Sequence, residues 1–356
     1  MEQKFDFMIK EINAKNHPSY AGHEKVFYFE DKPTKLKGFI AWHNTKLGPA
    51  TGGTRLFNYS SKKEALKDVL RLSEAMTYKC AVSGLPFGGG KNVIIASKNL
   101  KNDKFLSAYA KIIDSFKGRC TTGTDVGISD EDAIYMSKIT PYILRGNKGN
   151  TTTSEMASYG IYVGIKKSLK LLIPNKSNKD LHITIKGIGK IGFNLAKLLI
   201  KDGFKVTVAD IDKEKIIAIK KLFPSIKVSD FKNIHKIKSD IYSPCAMGGE
   251  FSLKTIKELN CHIIAGGSNN QLQKESLSKE LYNRGIWYIP DFLINSGGLI
   301  QIVDELDKSG YNKKRVNSRV KKIGEIISQI IKKSQISKKD TLTVTKDIIN
   351  SKIYVK

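Results

Sequence analysis

The sequence predicts an α/β protein with two domains, of which the second is a Rossmann-type, doubly wound parallel sheet. The length of 356 residues is what two domains of ordinary size require. From about Ser158 onward, strand-like and helix-like segments alternate, which is typical of parallel sheets connected by helices. A glycine motif, Gly187-Ile188-Gly189-Lys190-Ile191-Gly192, follows the first strand of this alternation, as it does in doubly wound folds.

The first domain is predicted to span residues 1–150 and to mix strands with helices. Ser61 and Glu64 have the spacing of a capping box, which marks the start of a helix with an apolar stripe. The polar segment 145–153 is the expected hinge between the domains. The other elements expected in this domain are strands at 38–43 and 92–96 and a helix at 104–116.

The second domain is predicted to span residues 151–325. A long apolar helix is expected to start at Gly298, after the last strand. The C-terminal segment 326–356 continues the helical periodicity that begins near Val320, and we expect it to pack against the first domain. The strands expected in the second domain are at 181–186, 205–209, 239–243, 262–265 and 286–289.

The glycine motif has the residues that a dinucleotide site needs. Gly187 permits a tight turn, Gly189 lets the backbone approach a pyrophosphate, and Gly192 lets the helix pack closely on the strand. The N-terminus of that helix offers unpaired N–H groups and the positive end of its dipole. Asp210 ends the next strand and can accept hydrogen bonds from a ribose 2′-hydroxyl. The sequence therefore predicts NAD rather than NADP as the cofactor, and a glycine-rich turn without a ligand is the alternative.

The net charge of +27 raises the question of a nucleic-acid partner. The lysines are spread along the whole chain, and the basic residues cluster only at 313–315 and 321–322. No helix-turn-helix, zinc-finger or RNP signature accompanies them. We therefore expect solvated surface lysines and no specific nucleic-acid partner, although this charge favours weak attraction to polyanions.

Composition also bears on location and on metal chemistry. No apolar run reaches the ~18 residues that a membrane helix needs, and the N-terminus has no apolar signal segment. We therefore expect a cytoplasmic protein without a membrane partner. The four cysteines and six histidines have no metal-ligand spacing, so the sequence predicts reduced thiols and no metal site.

Three charged side chains in glycine-rich segments of the first domain are candidates for a small-molecule site. Lys79 and Lys91 supply two cations, and Asp125 supplies an anion. Glycine lets the backbone come close to a small ligand, because it has no side chain. Each charged residue taken singly could equally be a solvated lysine or a turn aspartate. The segments are 47–55, 76–79, 84–91 and 121–127.

These segments resemble the glutamate/leucine/phenylalanine/valine dehydrogenase family, most closely its leucine dehydrogenase branch. The resemblance covers nearly the whole chain. It includes Ser-Pro-Cys-Ala at the end of 239–246 and continues through 264–272 and 290–298. Several long motifs in the family's order make the match far more specific than the glycine motif alone.

The resemblance implies reversible, NAD-dependent oxidative deamination of an L-amino acid to a 2-oxo acid and ammonium. It also implies an N-terminal substrate and oligomerisation domain, a homo-oligomer, and a cleft between the two domains. By the family's motifs, Lys91 would be the catalytic lysine, Asp125 the proton shuttle, and Lys79 the residue that binds the substrate carboxylate. The other implied substrate-binding residues are Thr51, Gly52, Gly53, Asn270, Leu299 and Ile302. The implied cofactor-binding residues are Gly187, Gly189, Lys190, Ile191, Gly192, Asp210, Cys245, Ala246 and Asn269.

The resemblance also bears on the choice of substrate. In this family the residue after Gly-Pro-Ala faces the substrate side chain. It is lysine in glutamate enzymes and leucine in leucine enzymes, and it is Thr51 in this chain. Without a cation there, glutamate is disfavoured, and Leu299 and Ile302 would make the pocket wall apolar. A branched aliphatic substrate (leucine, isoleucine or valine) is therefore expected, and phenylalanine stays open because Thr51 leaves more room than leucine.

One departure from the family pattern concerns the nicotinamide. Leucine enzymes usually have a threonine just before Ala-Tyr-Gly, and its hydroxyl reaches the nicotinamide amide. Here that position is Ala157, and Ser158 is the neighbouring hydroxyl that could replace it. Loss of one hydrogen bond to a cofactor costs about 1 kcal/mol. A relative that binds NAD or an amino acid without turnover is therefore the second interpretation.

Overall fold

A computed structural model describes residues 7–146 and 152–354, which fall into two units. The first unit contains residues up to 146 together with 305–311 and 352–354. The second unit contains 152–304 and 312–351. The predicted hinge at 145–153 lies partly outside the described residues. Where the structure describes the chain, no helix has both the length and the apolar character that crossing a bilayer requires.

The first unit is built on a mixed six-stranded sheet with the order β1-β2-β3-β5-β4-β6. Its strands are Phe7–Glu11 (β1), Lys25–Asp31 (β2), Leu36–Asn44 (β3), Ala50–Phe57 (β4), Gly88–Ile95 (β5) and Cys120–Thr124 (β6). Its helices are Lys62–Val82 (α1), Asp103–Ser115 (α2) and Asp130–Ser137 (α3). The β1–β2, β2–β3 and β3–β5 pairs are antiparallel, whereas β4 runs parallel to both β5 and β6. The parallel strands β4, β5 and β6 therefore end at the same edge of the sheet.

The strands predicted at 38–43 and 92–96 and the helix predicted at 104–116 are confirmed as β3, β5 and α2. Strand β5 begins at Gly88, so the glycine-rich segment before Lys91 is part of the strand and not a loop. Strands β1, β2, β4 and β6 were not predicted. In β4 and β6, glycines and threonines hide the apolar alternation on which strand prediction depends.

Two glycines of β5 are explained by close contacts with helix α1 and with strand β3. A Cβ atom on Gly89 would lie 2.0 Å from Thr77 Oγ1 and 2.2 Å from the Thr77 backbone nitrogen. A Cβ atom on Gly88 would lie 2.4 Å from the carbonyl oxygen of Asn44. At these positions glycine therefore serves contacts within the protein, and the expectation that it makes room for a ligand is corrected there.

Helix α1 starts as predicted but without a full capping box. The Ser61 hydroxyl accepts a hydrogen bond from the Glu64 backbone N–H at 3.2 Å. The Glu64 carboxylate accepts from the Ser60 hydroxyl at 2.6 Å rather than from the Ser61 backbone. Only one half of the predicted reciprocal pair is therefore formed.

Buried hydroxyl and amide groups join β4, β5 and β6 to helix α2 on one face of the sheet. Thr54 Oγ1 lies 2.6 Å from the Tyr109 hydroxyl and 2.7 Å from Thr122 Oγ1. Asn92 donates a hydrogen bond to the same Tyr109 hydroxyl at 2.8 Å. All four residues are buried, so these bonds fix the three strands relative to each other.

Two buried histidines pack the sheet against α1. His23 precedes β2 and His43 lies in β3, and their ring centroids are 4.8 Å apart. His23 Nε2 lies 2.9 Å from the carbonyl oxygen of Leu70, and His43 Nδ1 lies 2.9 Å from Thr77 Oγ1. Burial lowers the pKa of His23 to about 4, and burial also lowers the pKa of His43.

Acidification is therefore expected to destabilise the first unit. A histidine whose pKa is lowered by folding binds fewer protons than it does in the unfolded chain. The stability from His23 is complete above its ordinary value of 6.5 and is lost as the pH falls to about 4. For His23 alone, that loss is about 3 kcal/mol at the lower end. Urea unfolding at a series of pH values measures the slope, which should flatten in His23→Gln; an unchanged slope would contradict the assignment.

The second unit is a parallel six-stranded sheet with the order β12-β11-β10-β7-β8-β9. Its strands are His182–Lys186 (β7), Lys205–Ala209 (β8), Lys227–Val228 (β9), Ser239–Pro244 (β10), Cys261–Ile264 (β11) and Trp287–Tyr288 (β12). The helices before β11 are Thr153–Leu172 (α4), Lys190–Lys201 (α5), Lys213–Leu222 (α6) and Leu253–Glu258 (α7). Those after it are Leu277–Asn283 (α8), Asp291–Ile294 (α9), Gly297–Val303 (α10), Lys313–Ser337 (α11) and Thr341–Tyr354 (α12). The strand order reverses between β7 and β10, which is the switch point of a doubly wound fold.

All five strands predicted in the second domain are confirmed, as β7, β8, β10, β11 and β12. Their buried apolar runs made them recognisable. Strand β9 was not predicted, because it has only two residues and both are exposed.

The helix predicted from Gly298 through Val303 is present as α10, but with seven residues it is shorter than expected. Helix α11 packs against α4 within the second unit. Helix α12 starts in the same unit, where Leu342 is buried in one cluster with Tyr288. The last described residues, 352–354, belong to the first unit, and packing of the whole C-terminal segment on the first domain stays a prediction. The sequence shows that these helices have an apolar face, but it does not show which surface covers that face.

Candidate active site

The first group of predicted site residues lies on one face of the sheet in the first unit. Alternate residues of a strand share a face, which places Gly53 and Arg55 of β4 on the same side. Lys91 of β5 reaches this side, and so does Asp125, the residue that follows β6. A Cβ atom on Gly53 would lie 3.1 Å from both Lys91 Nζ and Asp125 Cβ. The absence of a side chain at residue 53 therefore leaves space for this pair.

Lys91 and Asp125 form a buried ion pair. Lys91 Nζ lies 2.6 Å from Asp125 Oδ2, and Lys91 is only 8% exposed. Asp125 Oδ1 accepts a hydrogen bond from the Val126 backbone N–H at 2.8 Å. Burial acts to raise the pKa of Asp125, but the charges of Lys91 and Arg55 outweigh it and hold this pKa below its ordinary value. Asp125 is therefore a carboxylate in the structure, paired with the ammonium group of Lys91.

The other predicted substrate residues of this unit lie on β4 and α1. Thr51 is buried and accepts a hydrogen bond from the Thr121 hydroxyl at 2.8 Å. Gly52 lies against β5, because a Cβ atom there would be 1.9 Å from the carbonyl oxygen of Gly90. Lys79 is half-buried in the last turn of α1, where the negative end of the helix dipole favours a cation. The assigned substrate contacts of these residues stay predictions.

The second group of predicted residues surrounds the glycine motif of the second unit. Gly187 has a φ of +96°, which a residue with a side chain rarely adopts. A Cβ atom there would also lie 2.7 Å from the Ala246 backbone nitrogen. A Cβ atom on Gly192 would lie 1.9 Å from the Gly187 carbonyl oxygen and 3.3 Å from Cys245 Cβ. Two of the three glycines are thus required by the turn and by its contacts with the segment after β10.

The third glycine fits a dinucleotide. Gly189 is the N-cap of α5, and no protein atom lies within 4 Å of the position that its Cβ would take. No side chain caps this helix, so its first N–H groups are available to a ligand. Lys190 is exposed at the first helical position, and Ile191 beside it is half-buried. Open space, available N–H donors and a lysine are what a bound pyrophosphate requires.

Asp210 lies directly after β8, next to the glycine turn. Its Oδ2 accepts a hydrogen bond from the Ile188 backbone N–H at 2.5 Å, and its Oδ1 accepts from the Asp212 N–H at 2.9 Å. The carboxylate therefore stabilises the turn itself. It is half-buried, so contact with a ribose is compatible with these bonds and stays a prediction.

The remaining predicted residues of the second unit lie after β11 and on α10. Asn269 is exposed, and its Oδ1 accepts a hydrogen bond from Asn295 Nδ2 at 2.7 Å. Asn270 is exposed with a φ of +52°, a strained conformation that asparagine tolerates better than most residues. Leu299 and Ile302 are half-buried on α10. Both retain exposed apolar surface that a ligand could cover.

Ser158 does not replace the hydroxyl that is absent at Ala157. The Ser158 hydroxyl lies 2.7 Å from the Ser154 carbonyl oxygen and 2.9 Å from the Ile191 carbonyl oxygen. Its single hydrogen is therefore used within the protein. Ala157 itself is buried, at 5% exposure. Whatever the threonine contributes in leucine enzymes is not supplied by this serine.

The sequence did not identify Arg55 as part of the site. Arg55 Nη2 lies 3.3 Å from Asp125 Oδ2, and Arg55 Nη1 lies 3.0 Å from Asp68 Oδ2. The Tyr59 hydroxyl donates a hydrogen bond to Asp68 Oδ2 at 2.6 Å. The available signal was the spacing of two residues between Gly53 and Arg55, which puts both on one face of a strand. That signal depends on recognising β4 as a strand.

Within residues 7–146 and 152–354, no three histidine, cysteine, aspartate or glutamate side chains are grouped so that they could hold a metal ion.

Comparison with known proteins gives a consistent result for both units. The family model described as the dimerisation domain of Glu/Leu/Phe/Val dehydrogenases matches residues 23–142, and the model described as Glutamate/Leucine/Phenylalanine/Valine dehydrogenase matches residues 149–352. The chain is 38% identical to L-tryptophan dehydrogenase of Nostoc punctiforme over 323 residues, which cover 90% of each protein. It is also 38% identical to leucine dehydrogenase of Geobacillus stearothermophilus over 328 residues, covering 90% of this chain and 87% of that protein.

Solved structures agree with this result. The crystal structure of L-tryptophan dehydrogenase from Nostoc punctiforme matches with a TM-score of 0.83 at 36% identity, covering 93% of this chain and 96% of that one. We conclude that the chain belongs to the glutamate/leucine/phenylalanine/valine dehydrogenase family.

Proposed function

We propose that this chain oxidatively deaminates apolar L-amino acids, with leucine, isoleucine and valine as the first candidates. The coarser activity follows from family membership: the chain is an amino-acid dehydrogenase, and its cofactor is NAD. The reaction converts an L-amino acid, water and NAD to a 2-oxo acid, ammonium, NADH and a proton, and it is reversible. The observation that supports the chemistry is the buried ion pair between Lys91 in β5 and Asp125 directly after β6.

Lys91 and Asp125 are proposed to carry the proton transfers. NAD, when bound, accepts the hydride that leaves the substrate α-carbon. In its neutral amine form, Lys91 removes a proton from the water that attacks this carbon. The ammonium group formed in this way then donates a hydrogen bond to the new carbonyl oxygen. Asp125 exchanges protons with the substrate amino group. Because Lys91 is almost fully buried, its interaction with a developing oxygen charge is stronger than it would be in water.

Lys79 is proposed to bind the substrate α-carboxylate. It lies in the last turn of α1, which packs against β5, the strand that carries Lys91. An ammonium group fixed there holds the carboxylate end of any L-amino acid, whatever its side chain. This contact orients the α-carbon, and orientation of the reacting atoms supplies a large share of enzymatic rate enhancement.

The environment of Thr51 supports an apolar substrate. Its buried hydroxyl accepts a hydrogen bond from Thr121, and neither residue carries a charge to pair with a second carboxylate. A carboxylate buried without a partner is strongly disfavoured, which argues against glutamate. The half-exposed apolar side chains of Leu299 and Ile302 support the same conclusion.

An aromatic amino acid is the second candidate. It is favoured by the relative named L-tryptophan dehydrogenase, which is as similar to this chain as the relative named leucine dehydrogenase. Its crystal structure also matches with a TM-score of 0.83. Thr51 is smaller than the leucine of leucine enzymes, and this leaves room for a larger side chain.

A substrate panel tests the proposal. Purified protein is mixed with NAD and, separately, leucine, isoleucine, valine, phenylalanine, tryptophan and glutamate at alkaline pH, and NADH is followed by absorbance. We expect kcat/KM to be highest for a branched-chain substrate and negligible for glutamate. Higher kcat/KM for phenylalanine or tryptophan would select the aromatic alternative. Binding of NAD without turnover of any amino acid would contradict the proposal and favour the non-catalytic relative.

We also propose that the protein forms a homo-oligomer through the first unit. The family model that matches residues 23–142 is described as a dimerisation domain, which supports this assignment. Analytical ultracentrifugation of the purified chain tests it, and a monomer at micromolar concentration would overturn it.

Replacing Asp210 should relax the preference for NAD. In Asp210→Asn, an amide oxygen can still accept the hydrogen bond from Ile188, but the charge that repels a 2′-phosphate is removed. We expect the ratio of kcat/KM for NADP to that for NAD to rise roughly tenfold, which corresponds to ~1.4 kcal/mol. In Asp210→Ser the ratio should also rise, together with a loss of stability from the unsatisfied Ile188 N–H. An unchanged ratio in both variants would mean that Asp210 does not face the ribose.

A further inference from the structure

We propose that Arg55 is a positioning residue that keeps Asp125 ionised and directed at Lys91, and that Asp68 and Tyr59 hold Arg55 in place for this role. The proposal rests on the proposed function, because it takes Asp125 as the group that exchanges a proton with the substrate. It adds three residues to the catalytic pair. Arg55 acts through Asp125 and is not proposed to touch the substrate.

Arg55 bridges two carboxylates with the two ends of its guanidinium group. Nη2 lies 3.3 Å from Asp125 Oδ2, and Nη1 lies 3.0 Å from Asp68 Oδ2. Asp125 Oδ2 is the oxygen that also pairs with Lys91, at 2.6 Å. A planar guanidinium has its donors in fixed directions, so its contact with Asp68 limits where its other end can point. Arg55 therefore restrains Oδ2 of this carboxylate, while the Val126 backbone N–H donates to Oδ1.

The second carboxylate is itself restrained. Asp68 lies on α1, and its Oδ2 accepts a hydrogen bond from the Tyr59 hydroxyl at 2.6 Å. Tyr59 lies in the segment between β4 and α1. The side chains of Arg55 and Asp68 are about one-quarter exposed, 25% and 26%. Partial burial of this kind makes such contacts stronger than those of an ion pair in bulk water.

The four charges of this group add to zero, and they alternate along the contacts. Lys91 and Arg55 are positive, and Asp125 and Asp68 are negative. Without the charge of Arg55, Lys91 would remain as the cation paired with Asp125, and Asp68 would lose its contact with Arg55. Burial, which acts to raise the pKa of Asp125, would then be opposed by one cation instead of two. We therefore expect the carboxyl group of Asp125 to stay ionised when Arg55 is present and to bind a proton more readily when its charge is removed.

Other groups near Asp125 do not replace this effect. The charged and titratable groups that face it or its contacts are Lys91 on β5, Arg55 on β4, Asp68 on α1, Tyr59 before α1, and the Lys101–Asp132 pair beyond the turn. Lys101 Nζ lies 2.5 Å from Asp132 Oδ2 and 3.3 Å from the Gly127 carbonyl oxygen. Its charge is therefore compensated by its own partner.

The test is a direct titration of Asp125 in the full chain without ligand. Protein labelled with carbon-13 at the aspartate carboxyl carbons is followed by NMR from about pH 7 to about pH 4.5, where an ordinary aspartate stays ionised. Asp125→Asn assigns the signal. We expect no titration in the wild type or in Arg55→Lys, which keeps the positive charge. In Arg55→Met the Asp125 signal should titrate within this pH range, because one of the two cations that lower its pKa is removed.

A double variant is included in case Arg55→Met alone does not fold. Arg55→Met combined with Asp68→Asn removes one positive and one negative charge, so no additional carboxylate is left unpaired. We expect it to fold like the wild type and to retain the raised Asp125 midpoint. An Asp125 signal that stays ionised to the lower limit in both Arg55→Met variants would overturn the proposal, as would titration in Arg55→Lys.

Steady-state kinetics adds a second readout, with whichever amino acid the wild type oxidises. We expect kcat in Arg55→Met to fall at least tenfold while the KM for NAD stays unchanged, and Arg55→Lys to recover most of the loss. A fall that Arg55→Lys does not recover would contradict a role through charge. If the wild type oxidised no amino acid, the proposed function would fail, but the NMR titration would still decide whether Arg55 controls the ionisation of Asp125.

Discussion

Replacement of Lys91 by alanine is expected to lower kcat by a factor of about 10²–10⁴, while NAD still binds. The side-chain nitrogen of Lys91, in its neutral amine form, is the base proposed to activate water, and it lies 2.6 Å from Asp125 Oδ2. The glycine motif and Asp210 belong to the second unit, where this substitution changes no contact. In Lys91→Ala, kcat should therefore fall while the affinity for NAD stays unchanged.

The measurement combines steady-state kinetics with calorimetric titration of NAD. Because Lys91 is buried, alanine also leaves a cavity, so Lys91→Met is needed as a variant that keeps most of the side-chain volume. Lys25→Ala is the matched control, since it removes a lysine of the same unit from an exposed ion pair with Glu11. Its kcat should equal that of the wild type. Turnover within a factor of about three of the wild type in Lys91→Met would remove Lys91 from its proposed role.

The second unit could be predicted from the sequence because its elements bury apolar faces locally. The strands β7 and β8 contain runs of apolar and β-branched residues that are buried on both faces. The glycine motif then fixed the order of strand, turn and helix. What the sequence could not supply was the partner of each helix. The apolar stripe of α11 is evident from its periodicity, but only the structure shows that α4 covers it.

The first unit was harder to predict, because its glycines are required by contacts between residues that are far apart in the sequence. Gly89 is required by the approach of Thr77, and Gly53 by the Lys91–Asp125 pair. Neither contact is visible in a local pattern, so β4 was not recognised as a strand. Because β4 was not recognised, the alternation of its side chains, which places Arg55 on the same face as Gly53 and beside Asp125, was not recognised either. Lys91 and Asp125 were candidates because they lie in glycine-rich segments, but their separate roles came only from the resemblance to a known family.

Gly189→Ala and Gly192→Ala should have different effects, although both replace a glycine of one motif by alanine. A methyl group on Gly189 meets no protein atom within 4 Å, and its φ of −77° suits any residue. The cost to folding is that of a poorer helix N-cap, about 1 kcal/mol. The methyl group would, however, occupy the space that a pyrophosphate needs. We expect affinity for NAD to fall at least tenfold in a protein of nearly normal stability.

Gly192→Ala should instead damage the fold of the second unit. Its methyl group would lie 1.9 Å from the carbonyl oxygen of Gly187, which is backbone and cannot rotate away. Relief requires α5 to move from the turn, and overpacking of this kind costs about 1–3 kcal/mol or more. Urea unfolding and NAD titration on both variants separate the two effects. Because Gly189→Ala is expected to change stability little, its affinity for NAD reports directly on the space above residue 189. Normal affinity for NAD in this variant would show that the dinucleotide does not pass over Gly189.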